Sequence, residues 1–333
     1  MTLPATQKVA SASEISESPD IIQYTDAETP QITGPHDIIV KNKYAGVNFI
    51  EAYFRKGIYP TQFPLIFGKE ASGVVAAVGD EVSQYKVGDK VAYMGQKAYA
   101  QYTKLSDSSI HIVKLADDAT DEQMRLWAAA LLQGLTTIAL ALESYAVKRG
   151  DHVLVWAAAG GVGQILTKYV SHLGAHVIAV ASSDEKLAIA KDLGAEFLIR
   201  TDEDVAAKVK EYTNNKGVEA VYDSIGKDTF DTSLQSLARK GTFVSYGNAS
   251  GPVPPLSISI LAAKNAKICR PTLYGYIATP EEWKSLTDTL TKSLDSGLFQ
   301  IKYTTYPLSE YRQATTDLEA RRTTGKLILE IPQ

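Results

Sequence analysis

The chain has 333 residues, of which 45% are apolar and 22% charged, enough for two hydrophobic cores and about two domains on the usual ~150-residue scale. The formal net charge is −4, which removes any global electrostatic drive toward nucleic acid. The local basic clusters, Arg239-Lys240, Lys264/Lys267/Arg270 and Arg321-Arg322, interleave with acids and read as solvated faces.

A single cysteine, Cys269, excludes an internal disulfide and fits a reducing, cytoplasmic compartment. Met1 to Ala10 has no apolar core region, and Glu14, Glu17 and Asp20 follow, so neither a secretory signal nor a transit peptide is expected. No run of 18 apolar residues is seen, so no membrane span is expected.

Taken in chain order, the first part is punctuated by glycine and proline between short alternating runs: Asp37–Lys43, Ala71–Val78, Lys90–Tyr93 and Ala98–Lys104. That texture predicts a β-rich unit. From Gly150 the pattern changes to strand–helix alternation. Val153–Trp156, Val177–Ala181, Phe197–Ile199, Val218–Tyr222, Thr242–Tyr246 and Ala266–Cys269 read as strands. Val162–Leu173, Glu185–Leu193, Val205–Tyr212 and Phe230–Leu237 read as the helices between them. The alternation predicts an α/β domain with a parallel sheet covered on both faces. Two further helices, Pro280–Ser296 and Ser309–Ala320, and a last strand, Lys326–Ile331, form a segment too short for its own core. It is expected to fold back on the first unit. The boundaries are then 1–124 and 274–333 for the β-rich unit and 125–273 for the inserted one, with the active site in the cleft between them.

The run Ala157-Ala158-Ala159-Gly160-Gly161-Val162-Gly163 carries the most chemistry. A strand, a glycine-rich turn and a helix N-terminus in that order make a pyrophosphate cradle, with backbone N–H groups and the helix dipole facing the anion. Gly160 and Gly161 suit a tight turn and close approach, and Gly163 lets the helix pack on the sheet. Folds that bind NAD place an acid at the tip of the second strand for the ribose 2′-hydroxyl. Here that tip is Val180-Ala181-Ser182-Ser183, with Lys186 on the next helix. Hydroxyls and an ammonium suit a 2′-phosphate, hence NADPH. Asp184 is the residue that would serve NAD if the turn were shifted.

Several motifs now fall into one order. Gly46-Val47-Asn48-Phe49-Ile50-Glu51-Ala52-Tyr53-Phe54-Arg55-Lys56-Gly57-Ile58-Tyr59-Pro60 is followed by Gly68-Lys69-Glu70-Ala71-Ser72-Gly73, Val87-Gly88-Asp89-Lys90-Val91, Gln133-Gly134-Leu135-Thr136-Thr137, the glycine turn and Thr324-Gly325-Lys326. In this order they resemble the medium-chain dehydrogenase/reductase superfamily, and within it the zeta-crystallin type of NADPH:quinone oxidoreductase, from about residue 8 to the end. The resemblance implies a GroES-like β-rich catalytic domain plus an inserted Rossmann domain with a doubly wound parallel sheet. Glu51 stands where the family pattern has Asp, and Arg55 is expected to pair with a carboxylate within the fold.

Zinc alcohol dehydrogenases of the superfamily carry cysteine where Asn48 stands and histidine where Lys69 stands. A catalytic zinc needs about three protein ligands, and only Glu70 remains, so no metal site is expected. Without a Lewis acid an alkoxide is hard to stabilise, whereas quinones and conjugated enones delocalise the incoming electrons. The resemblance implies that Asn48, Tyr53 and Tyr59 face the acceptor. Asn48 would hold the nicotinamide ribose or an acceptor oxygen, and the two tyrosines would donate protons or stack on a flat ring. For the cofactor it implies Thr136 at a helix start, Gly160, Gly161, Val162 and Gly163 at the pyrophosphate, and Ser182, Lys186 and Arg200 at the 2′-phosphate. Tyr246, Gly247 and Asn248 would lie beside the nicotinamide ribose, Leu273 and Tyr274 against the nicotinamide, and Lys326 would reach in from the C-terminal strand.

Two other readings are open at this point: reduction of the 2,3 double bond of an enoyl thioester, and a binding or structural role, since zeta-crystallins serve as lens proteins and some members bind AU-rich RNA. The expected place is the cytoplasm, with a nuclear pool left open beside it. The resemblance also implies a homodimer formed by pairing the sheet edges at Ala266–Cys269, because an open edge of unpaired N–H and C=O groups has to be covered.

Overall fold

The computed structural model describes residues 3–109 and 111–333; Met1, Thr2 and Ile110 lie outside that description. The chain opens with β1 (Thr6–Ala12), β2 (Gln23–Glu28), β3 (Asp37–Val47), α1 (Ile50–Arg55), β4 (Leu65–Ile66), β5 (Glu70–Val78), β6 (Lys90–Met94), β7 (Tyr102–Ser106) and β8 (Ile112–Lys114), then α2 (Asp121–Ala139). The alternating part follows: β9 (His152–Trp156), α3 (Gly161–His172), β10 (His176–Ala181), α4 (Asp184–Asp192), β11 (Phe197–Arg200), α5 (Val205–Tyr212), β12 (Val218–Asp223), α6 (Phe230–Ser236), β13 (Leu237–Ser245), β14 (Lys267–Cys269) and α7 (Pro280–Asp295). It closes with β15 (Tyr303–Pro307), α8 (Tyr311–Glu319) and β16 (Lys326–Glu330).

Two compact units result: Met1–Leu132 with Ile301–Gln333, and Gln133–Gln300. In the first, β15, β16, β3, β5, β6 and β8 lie side by side in that order with β7 also on β3, and β2, β1 and β4 form a smaller sheet. Its core joins Val40, Phe67, Val75, Tyr93 and Tyr99 to Leu308, Tyr311, Leu327 and Leu329 of the returning segment. Arg55, almost fully buried, pairs with Glu319 at 2.6 Å, which is the role within the fold expected for it.

In the second unit six strands run in the order β11-β10-β9-β12-β13-β14, every neighbour parallel. Numbered along this unit, that is 3-2-1-4-5-6, the doubly wound dinucleotide-binding order, with its switch point between β9 and β12. The inner strands β10, β9 and β12 are buried on both faces, which explains why they read as continuous apolar runs. The returning segment joins the first unit from Ile301, later than the 274 expected. The reason is α7: its buried Leu290 lies against Gly134, whose Cβ would stand 2.5 Å from Leu290 Cδ1, and Phe299 beyond it meets Tyr169 edge-on at 5.5 Å.

Other expectations are adjusted. The strand expected at Ala98–Lys104 begins at Tyr102, because Ala98–Ala100 instead crosses toward β1, with Ala100 bridging Val9. The expectation that no apolar stretch is long enough for a span missed one helix. Among the described residues, Asp121–Ser144 is long and apolar enough to cross a membrane by length and composition, with 61% of its apolar window buried. That length comes from α2 and the π-helical turn Leu140–Ser144 that continues it. Ala128–Leu131, Leu135 and Ile138 are fully buried, as in a core helix.

Candidate active site

In the second unit the C-terminal ends of the six strands collect nearly every residue expected at the cofactor. The turn after β9 runs through Ala157, which carries the left-handed backbone (φ 51°), so the glycines are there for space, not for dihedral freedom. A Cβ on Gly163 would stand 2.2 Å from Ala157 O, and one on Gly161 would stand 2.4 Å from the Gln133 amide. Gly160, the N-cap of α3, supplies no side-chain acceptor, so the first-turn N–H groups of Gly161, Val162 and Gly163 have no side-chain cap. A Cβ on Gly160 would meet only Ala157 O, at 3.2 Å. An uncapped helix N-terminus whose bounding glycines exclude side chains fits a pyrophosphate.

At the tip of β10, Lys186 Nζ donates to Ser182 Oγ at 3.4 Å, and Ser183 caps α4 by accepting from the Lys186 N–H. Arg200 is the register partner of Ala181 on β11. Its guanidinium forks onto Asp202 with two contacts of 3.0 Å and lies 3.5 Å from Asp184. Ser182, Lys186 and Arg200 therefore share one tip, and Asp184 is turned to Arg200.

Beyond β12 the buried Asp223 accepts from the N–H groups of Ile225 and Gly226 and from the hydroxyls of Thr229 and Ser233, which fixes the β12–α6 turn. Next to it Tyr246 N–H donates to Asp223 O at 2.8 Å, and a Cβ on Gly247 would stand 2.5 Å from Ser224 O. The Asn248 amide, oriented by its neighbours, donates to Gly247 O at 2.9 Å and accepts from Arg270 Nη2 at 3.0 Å. Arg270 also donates to Ser245 O at 2.8 Å. Leu273 and Tyr274 fall in the short 3₁₀ turn that follows β14. Thr136 departs from expectation. It lies in the last turn of α2, not at a helix start, because the Ala- and Leu-rich run 126–135 continues an established helix. It stands three residues on from Gln133, on the same helix face, and Gln133 abuts the start of α3.

In the first unit the chemistry is concentrated in a buried polar cluster. Glu70, at the head of β5, is fully buried. Its Oε1 accepts from Lys326 Nζ at 2.6 Å and from Asn48 Nδ2 at 2.8 Å, and its Oε2 accepts from Leu132 N–H at 2.7 Å. Lys326 Nζ also donates to Asn48 Oδ1 at 2.7 Å. Burial pulls the Lys326 ammonium below its ordinary pKa, against the pull of Glu70. Lys326 thus meets Asn48 and Glu70 from the head of the C-terminal strand.

Glu51 on α1 is buried beside this cluster with one carboxylate oxygen unpartnered; burial pushes its pKa up to about 7, opposed by Lys69. Tyr53 and Tyr59 are brought together edge-on, ring centres 5.2 Å apart, and Lys69 Nζ stacks over Phe54 at 4.4 Å.

A metal ion does not fit this donor set. The one carboxylate at the position is met by the Asn48 Nδ2, the Lys326 ammonium and the Leu132 N–H, all of which turn hydrogens toward its oxygens. Among the described residues no group of three or more His, Cys, Asp or Glu could hold one.

The reading from sequence missed three residues: Glu70 as a hub, Arg270 behind the Tyr246–Asn248 loop, and Gln133 at the mouth of the cradle. Charges placed at the ends of apolar strands, as Glu70 and Lys326 are, were the available signal. Two members of the basic cluster are committed to main-chain carbonyls: Arg270 as above, and Lys264, which donates to Leu234, Gln235 and Leu237.

Comparison with known proteins follows the same division. Residues 34–117 match the alcohol dehydrogenase GroES-like domain, and residues 161–292 match the zinc-binding dehydrogenase family. Over 312 residues the chain is 43% identical to a probable quinone oxidoreductase of Schizosaccharomyces pombe, covering 93% of each. A quinone oxidoreductase structure from Pseudomonas syringae pv. Tomato DC3000 superposes with a TM-score of 0.91 at 42% identity, over 97% of this chain and 99% of that one. The Escherichia coli quinone oxidoreductase complexed with NADPH superposes with a TM-score of 0.90 at 34% identity, over the same shares.

Proposed function

The chain belongs to the medium-chain dehydrogenase/reductase family, among its quinone oxidoreductases, and from that premise we propose that it reduces quinones with NADPH without a metal. The observation that carries the reading is the β10 tip, where Ser182 and Lys186 stand at 3.4 Å in the place where NAD-specific folds carry an acid. Bound NADPH supplies the hydride. The first turn of α3 binds the pyrophosphate, with Thr136 and Gln133 beside it. Ser182, Lys186 and Arg200 hold the 2′-phosphate, and the loop 246–248, braced by Arg270 and Asp223, lines the nicotinamide ribose together with Leu273 and Tyr274. On the acceptor side, Tyr53 and Tyr59 stack on a flat ring and give hydrogen bonds to its oxygens. A quinone suits such a site because its reduced form spreads negative charge that hydrogen-bond donors alone can stabilise.

Lys186→Ala tests the cofactor side. One charge-assisted contact is worth about 1.4 kcal/mol, or tenfold. The variant is expected to lose about that factor in NADPH affinity and to keep its NADH affinity, measured by titration of cofactor fluorescence. Equal losses for both cofactors would remove Lys186 from the phosphate.

The assembly belongs to the same reading. β14 ends the sheet order, and Leu256, Ile258 and Ile260 shortly before it are exposed, Ile258 at 81%. Two copies joined across a twofold axis at β14 would pair the open edge and cover these side chains. Sedimentation of the wild type is expected to give twice the chain mass of 36.1 kDa, and Ile258→Glu to give the single chain. A wild-type monomer at micromolar concentration would refute the dimer. Lys264 and Arg270, two of the basic residues on which an RNA role would rest, serve main-chain carbonyls.

A further inference from the structure

The amide of Asn48 has a fixed sense. Its nitrogen faces two acceptors, Gly46 O at 3.1 Å and Glu70 Oε1 at 2.8 Å, and its oxygen faces the Lys326 ammonium at 2.7 Å. Turning it over would set NH₂ against ammonium and a carbonyl against a carboxylate, so the partners themselves determine the orientation. Both Nδ2 hydrogens are committed. What Asn48 still offers is the second lone pair of Oδ1, on a residue that is 6% exposed.

We propose that Asn48 meets the reactants as a hydrogen-bond acceptor only, with Lys326 and Glu70 as positioning residues that hold its amide in that sense. The group it takes is an O–H, from the cofactor ribose or from the hydroquinone product, and not the carbonyl of the oxidised quinone, which needs a donor. This choice rests on the quinone reductase reading above and narrows it. It also separates the two tasks that the family pattern leaves open for this position, and assigns donation to the quinone oxygens to other groups such as Tyr53 and Tyr59.

The test uses the purified full chain and three measurements: the NADPH dissociation constant by fluorescence without quinone, inhibition by added hydroquinone, and the KM for the quinone. Losing one neutral hydrogen bond weakens binding by about fivefold to tenfold. Asn48→Ala is expected to show that loss in NADPH binding if the donor is the ribose, or in hydroquinone inhibition if it is the product, with the quinone KM within about twofold of wild type. The neutral pair Glu70→Gln/Lys326→Met keeps Asn48 but releases its amide. It is expected to show a smaller loss in the same parameter and an unchanged quinone KM. A quinone KM raised by Asn48→Ala, with the other two values unchanged, would overturn the proposal. So would a Glu70→Gln/Lys326→Met variant equal to wild type in all three, which would remove the positioning role. A wild-type chain that fails to bind NADPH would overturn the underlying reading and this inference with it, and is recognised before any variant is made.

Discussion

Lys326→Met is expected to lower the stability of the protein by about 3–5 kcal/mol, the usual cost of breaking a buried ion pair from one side. The pair is sealed: both side chains are fully buried and their charged atoms lie 2.6 Å apart. Removing the ammonium leaves the Glu70 carboxylate with the Asn48 amide and the Leu132 N–H as donors. Glu70→Gln/Lys326→Met removes both charges and is expected to recover most of the loss, because a buried pair gains little net stability over neutral groups of similar volume. Urea unfolding of wild type, single and double variants decides it. A double variant as unstable as Lys326→Met would mean that lost packing, and not an orphaned charge, sets the cost.

The second large effect depends on pH. Glu51 is buried with an unpartnered oxygen, and its carboxyl is pushed from 4.5 up to about 7 by burial, with Lys69 opposing. The folded chain therefore binds this proton more tightly than the unfolded chain. Its stabilising contribution is complete below pH 4.5 and is lost as the pH rises through about 7. The difference between 4.5 and about 7 corresponds to about 3 kcal/mol. Glu51→Gln cannot titrate, so between pH 4.5 and pH 8 the wild type is expected to lose about 3 kcal/mol more than the variant. Comparing the two pH differences cancels any constant cost of the amide. Parallel pH profiles for the two proteins would show that Glu51 stays ionised in the fold.

What the sequence made legible follows from how each element meets solvent. The inner parallel strands are buried on both faces, and a run such as His152-Val153-Leu154-Val155-Trp156 carries that as an apolar stretch. β2, by contrast, is Gln23-Tyr24-Thr25-Asp26-Ala27-Glu28, mostly exposed at a sheet edge, and has no pattern to distinguish it from a loop. Ser182 and Lys186 were readable at the strand tip because strand ends and glycine turns fix positions locally, whereas Arg200 came only from the resemblance. The Glu70–Lys326 pair joins residues 256 apart in the chain. Nothing local says that the two strand heads meet, although a lysine opening the apolar strand Lys326-Leu327-Ile328-Leu329 was a warning. Gln133 was hidden for the same reason, since it acts on Gly161 from another helix.

The central claim, NADPH-dependent quinone reduction without a metal, is tested most directly by stopped-flow mixing of the chelator-treated protein and NADPH with a simple para-quinone, followed at the NADPH and semiquinone absorbances. The predicted result is rapid loss of NADPH that chelator leaves unchanged, with a kcat/KM for NADPH at least about tenfold above that for NADH, the factor set by one phosphate contact. No quinone-dependent oxidation of NADPH, a preference for NADH, or activity that returns only with added zinc would contradict it.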